Sequence, residues 1–172
     1  MKVYLNIGSN SGDRRAFIGH AVAAVVRALA RPGVTATVAA PFYSAPWGYE
    51  SEAEYINVGM MLDFPRRLSP GDLDAIYLSL REIERAISLC PHRNPDGTYR
   101  DRDIDIDIIA AGDMVCHTAL LDLPHPRMHL RDFVLVPLAW LDPSWTHPLL
   151  GRTAAGLLGD LVVEAARIEE DD

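Results

Sequence analysis

The segment KVYLNIG, residues 2 to 8, alternates Val3, Leu5 and Ile7 with polar or aromatic neighbours, the period of a strand with one apolar face. The turn GSNSGD follows. Beyond it Phe17, Ala21, Val25, Val26 and Leu29 fall on one helical stripe, which Gly33 after Pro32 brings to an end. VTATVAAPFYSAP reads as a second strand running into a loop at Pro41 to Gly48, and EYINVGMMLDF as its antiparallel partner. The connection between them, residues 41 to 54, is long for a compact domain, and long connections tend to be functional. A second helix opens at Ser69 as N-cap, with Pro70 at its first position and Asp72 where a capping-box acid belongs. Leu73, Ile76, Leu80, Ile83 and Ile87 form its stripe. The breaker-rich CPHRNPDGTYRDR delivers a last strand, DRDIDIDII, and after Gly112 the stretch LPHPRMHLRDFVLVPLAWLDP mixes Pro, His and Arg with a short apolar run. The order β, α, β, β, α, β plus a C-terminal extension predicts an α+β, ferredoxin-like βαββαβ domain, an antiparallel sheet with its helices on one face. One domain is expected over residues 1 to 168, with an acidic tail at 169 to 172.

Composition narrows the function. At 172 residues, 49% of them hydrophobic, the chain can bury a full core without disulfides. Cys90 and Cys116 form no CxxC. The amino terminus lacks a signal-peptide run and no stretch of about 18 apolar residues occurs, so a cytoplasmic protein with no membrane partner is expected. A net charge of −8 argues against nucleic-acid binding. The distribution says more: all but one of the 16 cations are Arg, and Arg81, Arg85, Arg93, Arg100, Arg102, Arg127 and Arg131 cluster around the aspartate strand. Arg suits bidentate phosphate binding, so the combination suggests a metal held together with a polyanion; ordinary surface pairing is the alternative.

Asp103, Asp105 and Asp107 recur at every second position between Ile104, Ile106 and Ile108, although strands tolerate Asp poorly. Carboxylates two apart on one face lie roughly 6.5 Å from each other along the chain. They repel, and Mg²⁺ resolves the conflict, since it takes one or two carboxylates plus substrate phosphates. An edge strand protected by charge would show the same row. A zinc pair at His125 and His129 is opposed by Pro124 and Pro126, which break the helix it would need. A Walker loop is excluded: GSNSGD lacks the spacing and Lys2 is the only lysine.

NIGSN after the first strand, YSAPWG followed by EYIN, IE late in the second helix, RDIDIDII and LPHPRMHLRDFVLVPL occur in one order over roughly residues 1 to 143. Together they resemble the 6-hydroxymethyl-7,8-dihydropterin pyrophosphokinase family of folate biosynthesis. The resemblance implies the same ferredoxin-like fold and transfer of pyrophosphate from ATP to the pterin hydroxymethyl oxygen, giving AMP and the pterin diphosphate. It implies two Mg²⁺ ions on Asp105 and Asp107, with Arg102 on the phosphates or the reacting oxygen, and leaves Asp103 at a variable position. Tyr55 and Phe133 correspond to the aromatics that sandwich the pterin, Asn57 to the Asn on its edge, and Ser44, Ala45, Pro46 and Trp47 to the loop that reads the rest. ATP contacts are implied for His125, Arg131, Arg81, Glu84, Ile108, Arg93, Tyr99 and Arg102.

Departures from the family pattern fall mainly on the stretch ISLCPHRNPDGTYRDR, whose loop length differs, so that Arg93 and Tyr99 take their roles only by a shifted alignment. Pro126 stands for a frequent aromatic, and Leu120 and Asp122 for polar ATP contacts. The loops at 44 to 54 and 90 to 101 are expected to close over ATP and exclude water. A monomer or weak homodimer is expected. Two alternatives are a catalytically degenerate paralogue that binds pterin or nucleotide, and an unrelated metal-dependent phosphohydrolase.

Overall fold

A computed structural model describes residues 1–46, 53–88 and 101–170, with side chains up to residue 164. Trp47, Arg93 and Tyr99 lie outside the described residues. The central sheet runs β1 (Lys2–Ser9), β2 (Thr35–Val38), β3 (Phe42–Ser44), β4 (Tyr55–Asp63) and β5 (Asp105–Ala111). Its order is β2, β4, β1, β5, with β3 beside β4, and the pairings are antiparallel. The expected second strand is thus split in two. β2 pairs with the Met60 to Asp63 end of β4, and β3 with the Tyr55 to Asn57 end.

α1 (Arg14–Leu29) is capped by Asp13 and buries Ile18, Ala21 and Val25, while Val26 of the expected stripe is exposed. α2 (Pro70–Ile87) has the capping box read from sequence: Asp72 N–H donates to Ser69 Oγ at 3.2 Å and Ser69 N–H to Asp72 Oδ2 at 2.8 Å. Both helices cover the face made by Val3, Leu5, Ile7, Ile56, Val58, Met60, Ile104, Ile106 and Ile108.

Helices on one face only was the expectation, and it needs correction. α3 (Asp132–Leu141) and α4 (Ala154–Glu170) cover the opposite face, where Tyr4, Ile109 and Ala110 pack against Val134, Leu135, Leu138, Ala154 and Leu157. Sequence missed α3 because DFVLVPLAWL is apolar nearly all round and contains Pro137, so it shows no stripe. Gly59 lets α3 approach the sheet: a Cβ there would lie 2.5 Å from Pro137 Cβ.

Near the middle of β5 the register slips: Leu5 pairs with Ile108 but Tyr4 with Ala110, leaving Ile109 as an extra residue. The bulge flips the alternation beyond it, so Ala111 returns to the core under α1 and α2, while Ala110 joins the other core beside Ile109. The Ile109 carbonyl accepts the His125 N–H at 2.8 Å. A short hairpin of β6 (Cys116–His117) and β7 (Asp122–Leu123) leads the chain back to that point.

Candidate active site

The sheet face that carries α3 and α4 continues past the start of α3 into an open cleft. Register builds its floor. Asp107 lies opposite Asn6, Asp105 opposite Gly8, and Gly8 opposite Asn57. Period two therefore brings Asp105, Asp107, Asn6, Gly8, Tyr55 and Asn57 onto one face of three neighbouring strands. Gly8 keeps the floor open, because a Cβ there would meet Asn57 Oδ1 at 3.0 Å. Ser44 and Ala45 at the end of β3 form one wall; Arg131 and Phe133, from the start of α3, form another. Asp103 precedes the strand and accepts a hydrogen bond from Ser88 Oγ at 2.6 Å, away from the cleft.

The polar floor is ordered. Asn57 Nδ2 donates to Ser44 Oγ at 3.0 Å, and Asn6 Nδ2 donates to Asn57 Oδ1 at 3.4 Å. Arg102 donates to Asp105 Oδ2. Burial works against the Arg102 charge, yet Asp105, with Tyr55 and Asp107 behind it, raises its pKa. Asn10 fixes the segment that carries Arg102: its Oδ1 accepts the Arg102 N–H at 2.8 Å and its Nδ2 donates to Asp101 at 2.8 Å and Ala53 O at 3.3 Å. Arg131 lies over the Phe133 ring at 5.5 Å.

Crowding by the walls pushes the Asp107 carboxyl up to about 6, with the Asp105 charge adding to it and Arg81, Arg131 and Arg102 opposing. The side chain still keeps 36% of its surface open to the cleft, so its oxygens remain available to a ligand. The two carboxylates repel each other, and the neighbouring guanidiniums offset that repulsion only in part.

Arg81 and Glu84 reach the same strand from α2, but they grip its backbone. Glu84, only 2% exposed, accepts the Ile106 N–H at 2.6 Å and pairs with Arg81 at 2.9 Å. Arg81 donates in turn to the Ile106 carbonyl and stands 3.9 Å from Asp105 and 3.9 Å from Asp107. The pair thereby brackets the peptide between the two aspartates. Ile108 is buried in the core on the far face, so its side chain does not enter the cleft. Pro46 and His125 border the site without lining it. His125 Nδ1 accepts the Arg127 N–H at 3.2 Å; burial, then Arg131 and Arg127, lower its pKa to about 4, so it is neutral at pH 7.

Nine of the residues expected from sequence thus meet in one cleft: Ser44, Ala45, Tyr55, Asn57, Arg102, Asp105, Asp107, Arg131 and Phe133. Sequence reasoning missed Asn6 and Gly8 as lining residues and Asn10 as the brace. The available signal was Asn at an interior strand position, as unfavourable there as Asp.

The family model described as 7,8-dihydro-6-hydroxymethylpterin-pyrophosphokinase (HPPK) matches residues 4–143. Among curated relatives, the 2-amino-4-hydroxy-6-hydroxymethyldihydropteridine pyrophosphokinase of Porphyromonas gingivalis is 37% identical over 147 residues, covering 85% of this chain and 93% of that protein. The Aquifex aeolicus protein of the same name is 31% identical over 147 residues, covering 86% of this chain and 84% of its own. A crystallised HPPK-DHPS in complex with substrates superposes with a TM-score of 0.66 at 12% identity, over 96% of this chain and 44% of that longer one, a likeness of fold. With two carboxylates, two aromatics and a polar floor lining one cleft, and a family match across most of its length, the chain belongs to the 7,8-dihydro-6-hydroxymethylpterin pyrophosphokinase family.

Proposed function

We propose that this cleft transfers the pyrophosphoryl group of ATP to the hydroxymethyl oxygen of 6-hydroxymethyl-7,8-dihydropterin, releasing AMP. Family membership makes the chain an ATP-dependent pyrophosphokinase of folate biosynthesis; the residue roles below are our reading of the site. The observation that carries them is the juxtaposition of Asp105 and Asp107 with Tyr55, Asn57 and Phe133 in one cleft.

Tyr55 and Phe133 bracket the flat heterocycle, with offset stacking on their faces. Ser44 and Asn57, with the loop through Ala45, Pro46 and Trp47, pair its polar edge, and such pairing rejects rings that lack the matching groups. Asp105 and Asp107 would hold the two Mg²⁺ ions. Among the described residues no group of three or more acidic, His or Cys side chains forms a metal site. Two carboxylate ligands with the remaining positions left to water and phosphate suit Mg²⁺ and disfavour zinc. When bound, the ions offset phosphate charge and lower the pKa of the attacking hydroxyl. Arg102 and Arg131 stand where charge grows on the transferred phosphoryl oxygens, and Arg93, Tyr99, His125 and the Ile108 backbone complete the nucleotide side. Arg81 and Glu84 act by keeping β5 in register under the two aspartates. Little covalent chemistry is asked of the protein in such a transfer, which rests on positioning and charge.

The strand order β2, β4, β1, β5, with a helix after β1 and another after β4, supports reading the fold as ferredoxin-like with a C-terminal extension over a single domain. We read the protein as a monomer or weak homodimer. No described helix is long and apolar enough to cross a membrane. With ATP as co-substrate, we read the protein as cytoplasmic.

Asp105→Ala and Asp107→Ala are expected to abolish AMP formation from ATP and hydroxymethyldihydropterin while circular dichroism shows an intact fold. Near-normal turnover in both variants refutes the metal assignment, and release of inorganic phosphate without pterin diphosphate refutes the transfer.

A further inference from the structure

β2 is an end strand of the central sheet, and among the described residues no strand pairs with its outer side. The two edges of the sheet are finished differently. β5, at the other end, carries Asp105 and Asp107, and its Ile109 carbonyl is taken by the His125 N–H at 2.8 Å. β2 has no charge: Thr35, Ala36, Thr37 and Val38 are all exposed, and their pairing with β4 runs without a bulge. An uncharged, regular edge is a template for another strand.

The sequence names which strand. Residues 34 to 38 read Val-Thr-Ala-Thr-Val, the same in either direction. Antiparallel pairing of this segment with itself about a two-fold axis at Ala36 sets Ala36 opposite the partner's Ala36, Val34 opposite the partner's Val38 and Thr35 opposite the partner's Thr37. The backbone is in phase with that axis. Ala39 N–H donates to Gly59 O at 2.9 Å, so by antiparallel alternation Thr37 and Thr35 also spend their backbone groups on β4. Ala36 and Val38 then turn theirs outward, as a hydrogen-bonded pair at the axis requires. Val34, whose N–H already donates to Arg31 O at 2.8 Å, brings at most its carbonyl.

The side chains agree with the backbone. Ala36 and Val38 stand opposite Leu62 and Met60, members of the core beneath α1 and α2, and Val34 packs on the same core. Self-pairing carries this apolar row across the axis, while Thr35 and Thr37 meet on the other face as a favourable cross-strand pair. α1 packs on β1 and β4 and α2 on β5, so α1 is the helix nearer this edge. Its Val26 is exposed. A two-fold axis perpendicular to the sheet keeps both α1 helices on one side, flanking the joined row of valines.

We propose that β2 is the interaction surface for a second copy of this chain, two β2 edges pairing antiparallel about Ala36 into one continuous sheet through a symmetric dimer. A five-residue edge with one valine from each flanking helix falls short of the roughly 800 Å² per partner of a stable complex, so the dimer is weak and reversible. β2 pairs with the Met60 to Asp63 end of β4 and the cleft lies at the Tyr55 end, so association leaves the cleft open.

Sedimentation equilibrium of the full chain over about a hundredfold range of concentration is the test. Wild type is expected to climb from the monomer mass toward twice that mass. Ala36→Lys and Ala36→Glu each set like charges opposite one another at the axis, so each is expected to stay monomeric, and their equimolar mixture to associate at least as well as wild type. Should the Ala36 variants fold poorly by circular dichroism, Val38→Lys, whose side chain is exposed in the monomer, is expected to weaken association by about tenfold or more. Wild type that stays monomeric throughout overturns the proposal. So does a dimer that these substitutions leave intact, because it uses another face, and so does a mixture of the two charge variants that stays monomeric. Mass rather than turnover is read, so each outcome is independent of the pterin assignment.

Discussion

Asp105 and Asp107 can share a face only because the groups around them are as specific as the pair itself. Glu84 is the clearest case. Its carboxylate is buried between Arg81 and the Ile106 N–H, so Glu84→Ala takes the nearest carboxylate from Arg81 and leaves a strand amide unpaired. The expected cost is about 3 kcal/mol, measured by urea denaturation, and Glu84→Gln, whose carbonyl still accepts the Ile106 N–H, loses less. The aromatics answer to a different readout. Tyr55→Ala or Phe133→Ala removes one face of the bracket, and steady-state kinetics should show the KM for the pterin rising about tenfold or more with the KM for ATP little changed. At this scale the sequence was informative wherever a residue type violated its element: Asp in a strand named the site. It was silent on Glu84, because the helix periodicity that puts Arg81 and Glu84 on one face does not say whether they face a nucleotide or a neighbouring backbone.

α3 shows how an element positions the site from outside it. Phe133 and Arg131 enter the cleft from its first turn, and its depth is set by the contact of Pro137 with Gly59 on β4. Gly59→Ala would place a methyl 2.5 Å from Pro137 Cβ and 3.2 Å from Leu141 Cδ1, so the helix must back away. Overpacking of this kind costs about 1–3 kcal/mol by chemical denaturation, and the displaced Phe133 should raise the KM for the pterin as well. α1, α2, β1 and β4 were legible because each carries a caps-and-stripe or period-two pattern. The split of the second strand and the bulge at Ile109 were not, since either depends on which partner residues stand opposite, a choice made between strands distant in sequence.

For the whole molecule, a polar junction at Asp142 helps tie the C-terminal layer to the sheet. Asp142, at the end of α3, accepts hydrogen bonds from Lys2 Nζ at 2.7 Å, Tyr4 OH at 2.8 Å and Ser144 Oγ at 3.0 Å. Burial alone would raise its pKa, but these partners, Lys2 first, outweigh it and hold the carboxyl below its ordinary value. The sign follows: a carboxylate with a depressed folded pKa adds stability above its unfolded pKa of about 3.9, and that contribution is lost as pH falls through the folded value. Asp142→Asn is therefore expected to lower stability by about 1–3 kcal/mol at pH 7, with the gap to wild type narrowing steadily below pH 4 in thermal melts. Burial, followed by Asp142, also raises the Tyr4 phenol, so it stays protonated as the donor throughout this range.

By itself the sequence determined the α+β class, the first two helices with the cap of the second, and the aspartate strand, while most of the nine cleft residues came from the motifs that resemble the family. The class, the helices and the strand are written in local order, in spacing of two or of three to four, or in a cap. Tertiary structure alone decided that helices cover both faces, that Arg81 and Glu84 turn onto β5, and that Asn6 ends the polar chain across the floor. Those outcomes depend on strand register and on which apolar surface finds which partner, and burial is blind to the order in which the chain supplies the pieces.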